Sequence, residues 1–359
     1  MIEPDIRKAQ TLESRFYRDA GIFEAARDRI WAKAWHYAGD AAALATPGYA
    51  HPFTLLPGIL DEPLVITADQ AGQRRCLSNV CTHRGKIIVE ESGPVRQLSC
   101  GYHGRCFRLD GTFKSMPAFE EAVGFPAASD HLPNLPLEEW LGLLFTSLEP
   151  YADFREAIAP IQERIGFLPL SQLQFAEEGS QDHHVKAHWA LYCDNYLEGF
   201  HVPFVHPALN TALDFGAYDY ETFDWCNLQI GIARPGEPAF DLPEGHPDYG
   251  KRVYAYYFFL FPNLMFNFYP WGLSLNIVEP LTLSQTRVRF RSYAFPGTAF
   301  DRADNNIDQT ELEDEAVVES VQRGIQSRLY KRGRFSPKME RCVHHFHRLA
   351  GQAMKGEAG

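Results

Sequence analysis

Residues 81–104 read CTHRGKIIVEESGPVRQLSCGYHG and contain two short pairs of cysteine and histidine. Cys81 and His83 form the first pair, and Cys100 and His103 form the second pair after sixteen intervening residues. Such pairs at the tips of two loops can hold a metal centre. Two chemistries fit: a zinc ion with four ligands in a tetrahedron, or a Rieske [2Fe–2S] cluster, in which the cysteines bind one iron and the histidines the other.

Two details of this segment favour the cluster over zinc. The first pair has the spacing C-x-H, whereas zinc loops mostly carry paired cysteines. Gly85, Gly101 and Gly104 lie beside the ligands, and exposed backbone amides there can donate hydrogen bonds to the sulfides of a cluster. Cys76 and Cys106 lie outside the pattern and are predicted to be small buried residues.

The surrounding chain predicts a short N-terminal region followed by two larger ones. Over residues 21–35, apolar side chains recur at helical spacing. Between residues 48 and 149, short apolar runs such as IIVEES (87–92) alternate with Gly, Pro and Asp, and Asp110-Gly111 is typical of a hairpin turn. We expect a helical segment at 1–40 that packs on the third region, an all-β domain at 41–150, and a domain of mixed helices and strands at 151–359.

The mixed region is predicted to combine helices with long strands. Helical patterns cover residues 186–201, 309–330 and 337–354, and strands rich in Tyr, Phe and Val cover 219–298. The aromatic strands at 253–261 and 264–275 are expected to line a cavity on one face. An aromatic wall can attract a quaternary ammonium group, and it can also be simple core.

A second constellation lies at residues 192–207, which read YCDNYLEGFHVPFVHP. Asn195, Glu198 and His201 are spaced at i, i+3 and i+6, so a helix would place them along one face. His206 follows after Pro203, which is expected to end that helix. Two converging imidazoles and one carboxylate are the ligand set of a ferrous site with open positions for dioxygen. The alternative is a pair of packed core histidines.

The carboxylate is expected from the predicted helix at 309–330. Asp314 extends the apolar, inward-facing stripe of that helix, and Glu311 near the stripe is the competing candidate. Glu313 and Glu315 are predicted to point away into solvent. The stripe continues through Val318, Val321 and Ile325.

Together, the two constellations resemble the Rieske non-haem iron oxygenases, also called ring-hydroxylating oxygenase alpha subunits. In that family C-x-H and C-x2-H, often continuing as Y-H-G, precede [D/E]-x2-H-x3–4-H and a later Asp on a C-terminal helix. This chain matches with Cys81, His83, Cys100 and His103, and then with Glu198, His201, His206 and Asp314. The resemblance covers roughly residues 15–330.

The resemblance implies an α+β fold: an all-β Rieske domain, and a catalytic domain in which helices surround an antiparallel sheet, as in helix-grip or START-like folds. It also implies a [2Fe–2S] cluster and a mononuclear Fe(II). The expected function is the terminal oxygenase component that uses O2 to hydroxylate or demethylate a small organic substrate, a quaternary amine or an aromatic compound. The alternative is a Rieske electron carrier, although a carrier needs only the first 150 residues.

Further implications concern partners. The chain has no G-x-G-x-x-G after a strand, so electrons are expected from a separate flavin/iron–sulfur reductase, directly or through a ferredoxin. In the family, the cluster of one protomer lies near the iron of its neighbour, which implies a homotrimer. Glu198 would then bridge to His103 across the boundary, with Asn195 beside the iron ligands. Glu198 stands where ring-hydroxylating members commonly have Asp. In this respect the chain resembles the branch of choline, carnitine and betaine monooxygenases.

Composition excludes several other classes of protein. The chain has 359 residues and a net charge of −12, which argues against nucleic acid or an anionic membrane surface as a partner. The N-terminus lacks an apolar signal region, and no apolar run is long enough to span a bilayer, so we expect a cytoplasmic protein. Seven cysteines are an odd number, which favours thiols or metal ligands over a disulfide scaffold.

Overall fold

The computed structural model describes residues 2–206, 213–298 and 307–356 of the chain. Over these ranges the protein combines α-helices with antiparallel sheets, which confirms the predicted α+β class. None of the helices in these ranges is both long and apolar enough to cross a membrane. A cytoplasmic location stays a prediction.

The chain forms two compact units, and their boundary lies earlier than residue 40. The first unit is Ala32–Pro150, and the second joins Met1–Trp31 to Tyr151–Gly359. Strand pairing explains the difference, because β1 (His36–Asp40) is hydrogen-bonded to β11 (Leu143–Thr146) inside the first unit. Residues 36–40 are therefore part of the β domain rather than of the N-terminal segment.

The first unit consists of small antiparallel sheets. One sheet has the order β1-β11-β10, with β10 at Leu137–Trp140. A second sheet contains β5 (Gly93–Pro94), β2 (Tyr49–Leu55), β3 (Glu62–Ala68), β4 (Arg74–Ser78) and β9 (Asn134–Leu135), and a third contains β6 (Leu98–Ser99), β7 (Cys106–Phe107) and β8 (Phe113–Ser115).

Of the sequence predictions for the first unit, the hairpin is confirmed and one strand is wrong. The predicted hairpin is confirmed between β7 and β8, where Gly111 has a φ of +86° and the amide of Arg108 donates to the carbonyl of Thr112 at 2.8 Å. The run 87–92 is not a strand, and within it only Ile87 makes an isolated bridge. The core of the unit includes both Cys81 and Cys100, each 3% exposed.

The second unit is built on a seven-stranded antiparallel sheet of order β12-β18-β17-β16-β15-β14-β13. Its strands are β12 (Gln174–Val185), β13 (Asp219–Thr222), β14 (Cys226–Ile232), β15 (Val253–Leu260), β16 (Leu264–Tyr269), β17 (Gly272–Thr282) and β18 (Gln285–Ala294). β15 is almost entirely buried, as expected for an apolar strand packed on both faces.

Helices of the second unit position the candidate site. They are α1 (Ala20–Arg29), α2 (Phe154–Ile165), α3 (Trp189–Tyr196), α4 (Val202–Val205), α5 (Ile307–Gly324) and α6 (Arg341–Lys355). The predicted helix at 186–201 is wrong in extent, because α3 ends at Tyr196 and α4 begins at Val202. Pro203 therefore lies in the first turn of α4, where a missing amide costs nothing, rather than ending a longer helix.

The inward stripe of α5 differs at one position. Val318 and Ile325 are buried as predicted, whereas Val321 is 44% exposed. Gln322 takes the inward place, and its side-chain oxygen accepts from the amide of His188 at 3.0 Å. This hydrogen bond joins α5 to the start of α3.

Candidate metal centres

The two cysteine–histidine loops have the same backbone geometry. The amide of Gly85 donates to the carbonyl of Cys81 at 2.9 Å, and the amide of Gly104 donates to the carbonyl of Cys100 at 3.1 Å. The two glycines have φ values of +71° and +72°, a conformation that residues with a Cβ rarely adopt. The sequence therefore builds two matching turns, each with a cysteine at its start.

The side chains on these turns fit a cluster with two thiolate and two imidazole ligands. Cys81 and Cys100 are unbridged thiols, and the rings of His83 and His103 lie 4.8 Å apart between centroids. The Nδ1 atom of His83 is buried and has no hydrogen-bond partner among the described residues. A ligand bond to iron would satisfy that nitrogen, so the residues present fit a Rieske cluster.

Asp130, which the sequence analysis did not single out, forms hydrogen bonds to residues of both ligand turns. The hydroxyl of Thr82, between the first two ligands, donates to the carbonyl of Asp130 at 3.0 Å. The guanidinium of Arg105, 2% exposed, donates to the carboxylate of Asp130 at 2.6 Å. A hydrogen bond from the amide of Ala127 and the pair with Arg105 lower the pKa of Asp130. An ionised Asp130 therefore links the two ligand turns.

In the second unit, His201, His206 and Asp314 converge. The Nε2 atoms of His201 and His206 lie 3.3 Å and 3.0 Å from the same oxygen of Asp314. All three donor atoms lie within 4.8 Å of one another. Two imidazoles and one carboxylate at this separation fit a mononuclear iron.

Carboxylates also hold the outer side of each imidazole. The Nδ1 of His201 is 2.7 Å from Glu198, and the Nδ1 of His206 is 2.8 Å from Glu313. A proton held at Nδ1 by a carboxylate leaves the lone pair of Nε2 directed at the site. The prediction that Glu313 points into solvent is wrong, because His206 arrives from the end of α4 and contacts it.

Backbone geometry explains how Glu198 reaches His201 without a continuous helix. α3 ends at Tyr196, and Glu198 lies in the connection to α4. Its carboxylate accepts hydrogen bonds from the amides of Phe200 and His201, the latter at 3.0 Å. These amides begin α4, where a negative charge is favourable. Glu198 therefore shapes the turn and orients the imidazole at once.

The carboxylates of this group stabilise positive charge on the histidines. Burial alone would lower the pKa of His201, but hydrogen bonds to Asp314 and Glu198 outweigh it and raise the pKa to about 9. Burial would raise the pKa of Asp314, yet hydrogen bonds from His201 and His206 lower it to about 2. Asn195 donates to the same Asp314 oxygen at 2.5 Å. The carboxylate is thus ionised and oriented.

Neighbouring carboxylates on α5 have other partners. Glu311, the competing ligand candidate, is buried and accepts from the hydroxyl of Tyr192 at 2.6 Å. Glu315, predicted to be solvated, lies 2.7 Å from the Nδ1 of His183 and has an 18% exposed side chain. The converging set around His201 therefore includes Asp314 rather than Glu311.

A cavity of about 170 Å³ opens beside these ligands. As predicted, strands β15 and β16 and the turn after them contribute aromatic residues to its wall. Tyr269 and Trp271 are stacked, with centroids 4.9 Å apart and planes 9° apart, and Tyr254 meets Trp271 edge-on at 5.7 Å. The aromatic lining comprises Phe215, Tyr218, Tyr254, Tyr257, Tyr269, Trp271, Tyr192, Tyr196 and Phe290.

Known families match both halves of this arrangement. The family called ring hydroxylating alpha subunit (catalytic domain) matches residues 173–356, and the Rieske [2Fe-2S] domain family matches residues 35–136. The chain belongs to the ring-hydroxylating alpha subunit family. The catalytic domain excludes the alternative of a lone Rieske electron carrier, and the match to the Rieske domain favours the cluster over zinc.

Relatives resemble the chain over nearly its whole length. The chloroplastic choline monooxygenase of Arabidopsis thaliana is 28% identical, over 98% of this chain and 84% of the relative. The carnitine monooxygenase oxygenase subunit of Escherichia coli (strain K12) is 27% identical, over 97% of this chain and 95% of the relative. A solved quaternary ammonium Rieske monooxygenase has a TM-score of 0.76 at 25% identity, over 97% of this chain and 96% of that structure.

These matches confirm the predicted enzyme class. The protein is a Rieske non-haem iron oxygenase, the terminal oxygenase component of a system with a reductase, and its cofactors are a [2Fe–2S] cluster and a mononuclear iron. When bound, the cluster would supply electrons and the mononuclear iron would supply the site for dioxygen, while this chain supplies the ligand side chains and a largely aromatic cavity beside them.

Proposed function

We propose that Cys81, His83, Cys100 and His103 hold the cluster and that His201, His206 and Asp314 hold the mononuclear iron. The support for the first set is its paired turns and the buried, unpartnered Nδ1 of His83. The support for the second set is the convergence of three donor atoms within 4.8 Å.

Glu198 and Asn195 act beside the iron in this proposal. Glu198 fixes the tautomer of His201 through Nδ1, and Asn195 orients the oxygen of Asp314. Glu198 also carries electron transfer from the cluster of the neighbouring protomer by contacting His103 there.

A homotrimer follows from that bridge. In support, Tyr102 and His103 are exposed at the cluster edge, with Tyr102 57% exposed. Near Glu198, Phe204 is 80% exposed, and its ring contacts that of Phe200. Exposed aromatic residues at both positions are typical of protein interfaces. A head-to-tail contact between unlike surfaces closes into a ring.

The substrate in this proposal is a small quaternary ammonium compound, and the reaction is hydroxylation or oxidative demethylation. The observation that carries it is the aromatic wall of the cavity, because a quaternary ammonium is attracted to the faces of Tyr and Trp rings. The relatives named for choline and carnitine act on compounds of this kind. Electrons come from a flavin/iron–sulfur reductase, directly or through a ferredoxin.

Oxygen uptake tests the substrate class. The metal-loaded protein is combined with NADH and a surrogate reductase, and uptake is followed with quaternary ammonium and aromatic compounds. We expect ammonium-dependent uptake coupled to product, and none with His206→Ala. Coupled uptake with aromatic hydrocarbons alone would contradict the proposal.

A further inference from the structure

The two cysteine–histidine turns of the first unit each end at a basic residue. The amide of Cys81 donates to the carbonyl of Lys86 at 2.8 Å, and the amide of Cys100 donates to the carbonyl of Arg105 at 2.8 Å. Each basic residue follows its cysteine by five positions. The chain therefore places one positive charge at the equivalent point of each turn.

The two positive charges differ in their exposure to solvent. Lys86 has a 37% exposed side chain and pairs with the exposed Glu90. Arg105 is 2% exposed, and its partner Asp130 has a 20% exposed side chain. Water and salt screen an exposed charge strongly and a buried charge weakly. The electric field of Arg105 therefore reaches further through the protein than that of Lys86.

Aromatic rings surround the guanidinium of Arg105. Its central carbon lies between 5.1 and 5.7 Å from the centroids of three rings, those of Phe107, Phe113 and Phe125. Its Nε atom is buried and has no hydrogen-bond partner among the described residues. The carboxylate of Asp130 is thus the negative charge that the structure places against a guanidinium otherwise held among apolar groups.

The same rings connect Arg105 to a proposed cluster ligand. Phe125 contacts Phe119 with 4.7 Å between centroids, and Phe119 meets the ring of His83 edge-on at 5.6 Å. Rings in mutual contact leave little room for water between the guanidinium and the first ligand turn. The effective dielectric constant along this route is therefore lower than in solvent, and the interaction between charges is stronger.

We infer that the buried charge of Arg105 raises the reduction potential of the bound cluster and that the charge of Asp130 limits this rise. The inference rests on the proposed cluster ligands. One electron from the reductase adds one negative charge at the ligand turns, and a positive charge held nearby stabilises that state. The Asp130 carboxylate, 2.6 Å from the guanidinium, opposes part of this effect.

Asp130→Asn tests the inference because it removes a charge and keeps the main-chain contacts. The Thr82 hydroxyl and one guanidinium nitrogen of Arg105 both donate to the main-chain carbonyl of Asp130, at 3.0 Å and 3.1 Å. Redox titration of the cluster-loaded protein, followed by its visible absorbance, gives the potential. We expect the ratio of reduced to oxidised cluster at a fixed potential to rise about 3- to 10-fold, an upward shift of about 28–59 mV for one electron.

Variants of the two basic residues test the sign and the role of burial. Arg105→Gln should lower the same ratio about 10-fold, whereas Arg105→Lys, which keeps the charge, should lie closer to the wild type. Lys86→Gln is the matched control, since it removes the exposed charge at the equivalent point of the other turn. Screening by water and salt should hold its effect below about 2-fold.

An unchanged or lowered potential in Asp130→Asn, with intact cluster absorbance, would overturn the inference. Equal shifts in Lys86→Gln and Arg105→Gln would also overturn it, because burial would then make no difference. If one variant of the buried pair fails to load a cluster, the other decides the sign. Failure of both would assign the pair to assembly of the turns and overturn the inference. Absence of a cluster spectrum from the wild type would instead contradict the proposed ligands.

Discussion

Removing the carboxylate of Glu313 is expected to weaken iron binding without harming the cluster. The Glu313 carboxylate lies 2.8 Å from the Nδ1 of His206, whose side chain is 1% exposed, and its own side chain is 27% exposed. In Glu313→Ala the imidazole loses its orienting partner and the preferred tautomer. Loss of such a partner typically lowers metal affinity 10- to 100-fold, or about 1.4–2.8 kcal/mol.

Because the Glu313 side chain is partly exposed, water can replace part of its hydrogen bond to His206. We therefore expect the loss of iron affinity to lie near the lower end of that range, at about 10-fold. The measurement is competition for Fe(II) between the protein and a calibrated chelator. Glu315→Ala is the matched control, since it removes a neighbouring carboxylate that contacts His183 instead of a proposed ligand. Equal iron affinity in Glu313→Ala and the wild type would refute the orienting role.

Further substitutions test the other assignments. Cys100→Ala should abolish the visible colour, because no other group replaces the thiolate, and an unchanged spectrum would refute the cluster ligand. His206→Ala and Asp314→Ala should keep the cluster spectrum but lose the third iron per chain and all turnover. Glu311→Ala should keep that iron. Loss of the iron in Glu311→Ala but not in Asp314→Ala would make Glu311 the ligand. Glu198→Gln should keep both centres and slow cluster reoxidation by orders of magnitude in rapid mixing, and a wild-type rate would refute the bridge.

Features encoded within a short stretch of sequence could be predicted. The spacing from Cys81 to His103 predicts a cluster, because the two turns are local and each contains a glycine with positive φ. Asp314 was chosen because the apolar stripe of its own helix indicates its direction. The aromatic strands around Tyr269 were expected beside a cavity for the same reason.

Features that depend on contacts between distant segments were missed or wrong. The periodicity of α5 gives no sign that His206 reaches Glu313 from another helix, so Glu313 was predicted to be solvated. Asp130 was missed because its contacts with Thr82 and Arg105 span 48 and 25 residues. The break between α3 and α4 lies where the Glu198 side chain accepts hydrogen bonds from backbone amides. Helical spacing in the sequence does not show that a side chain competes with the helix for these amides.

A single-turnover experiment tests most directly whether this chain itself oxygenates a substrate. The protein loaded with both metal centres is reduced chemically, freed of reductant, and mixed with O2 and a quaternary ammonium compound that it binds, with no reductase present. We predict that the cluster is reoxidised and that oxidised product appears in less than or equal to one equivalent per chain. Cluster reoxidation with no loss of the ammonium compound would contradict the account.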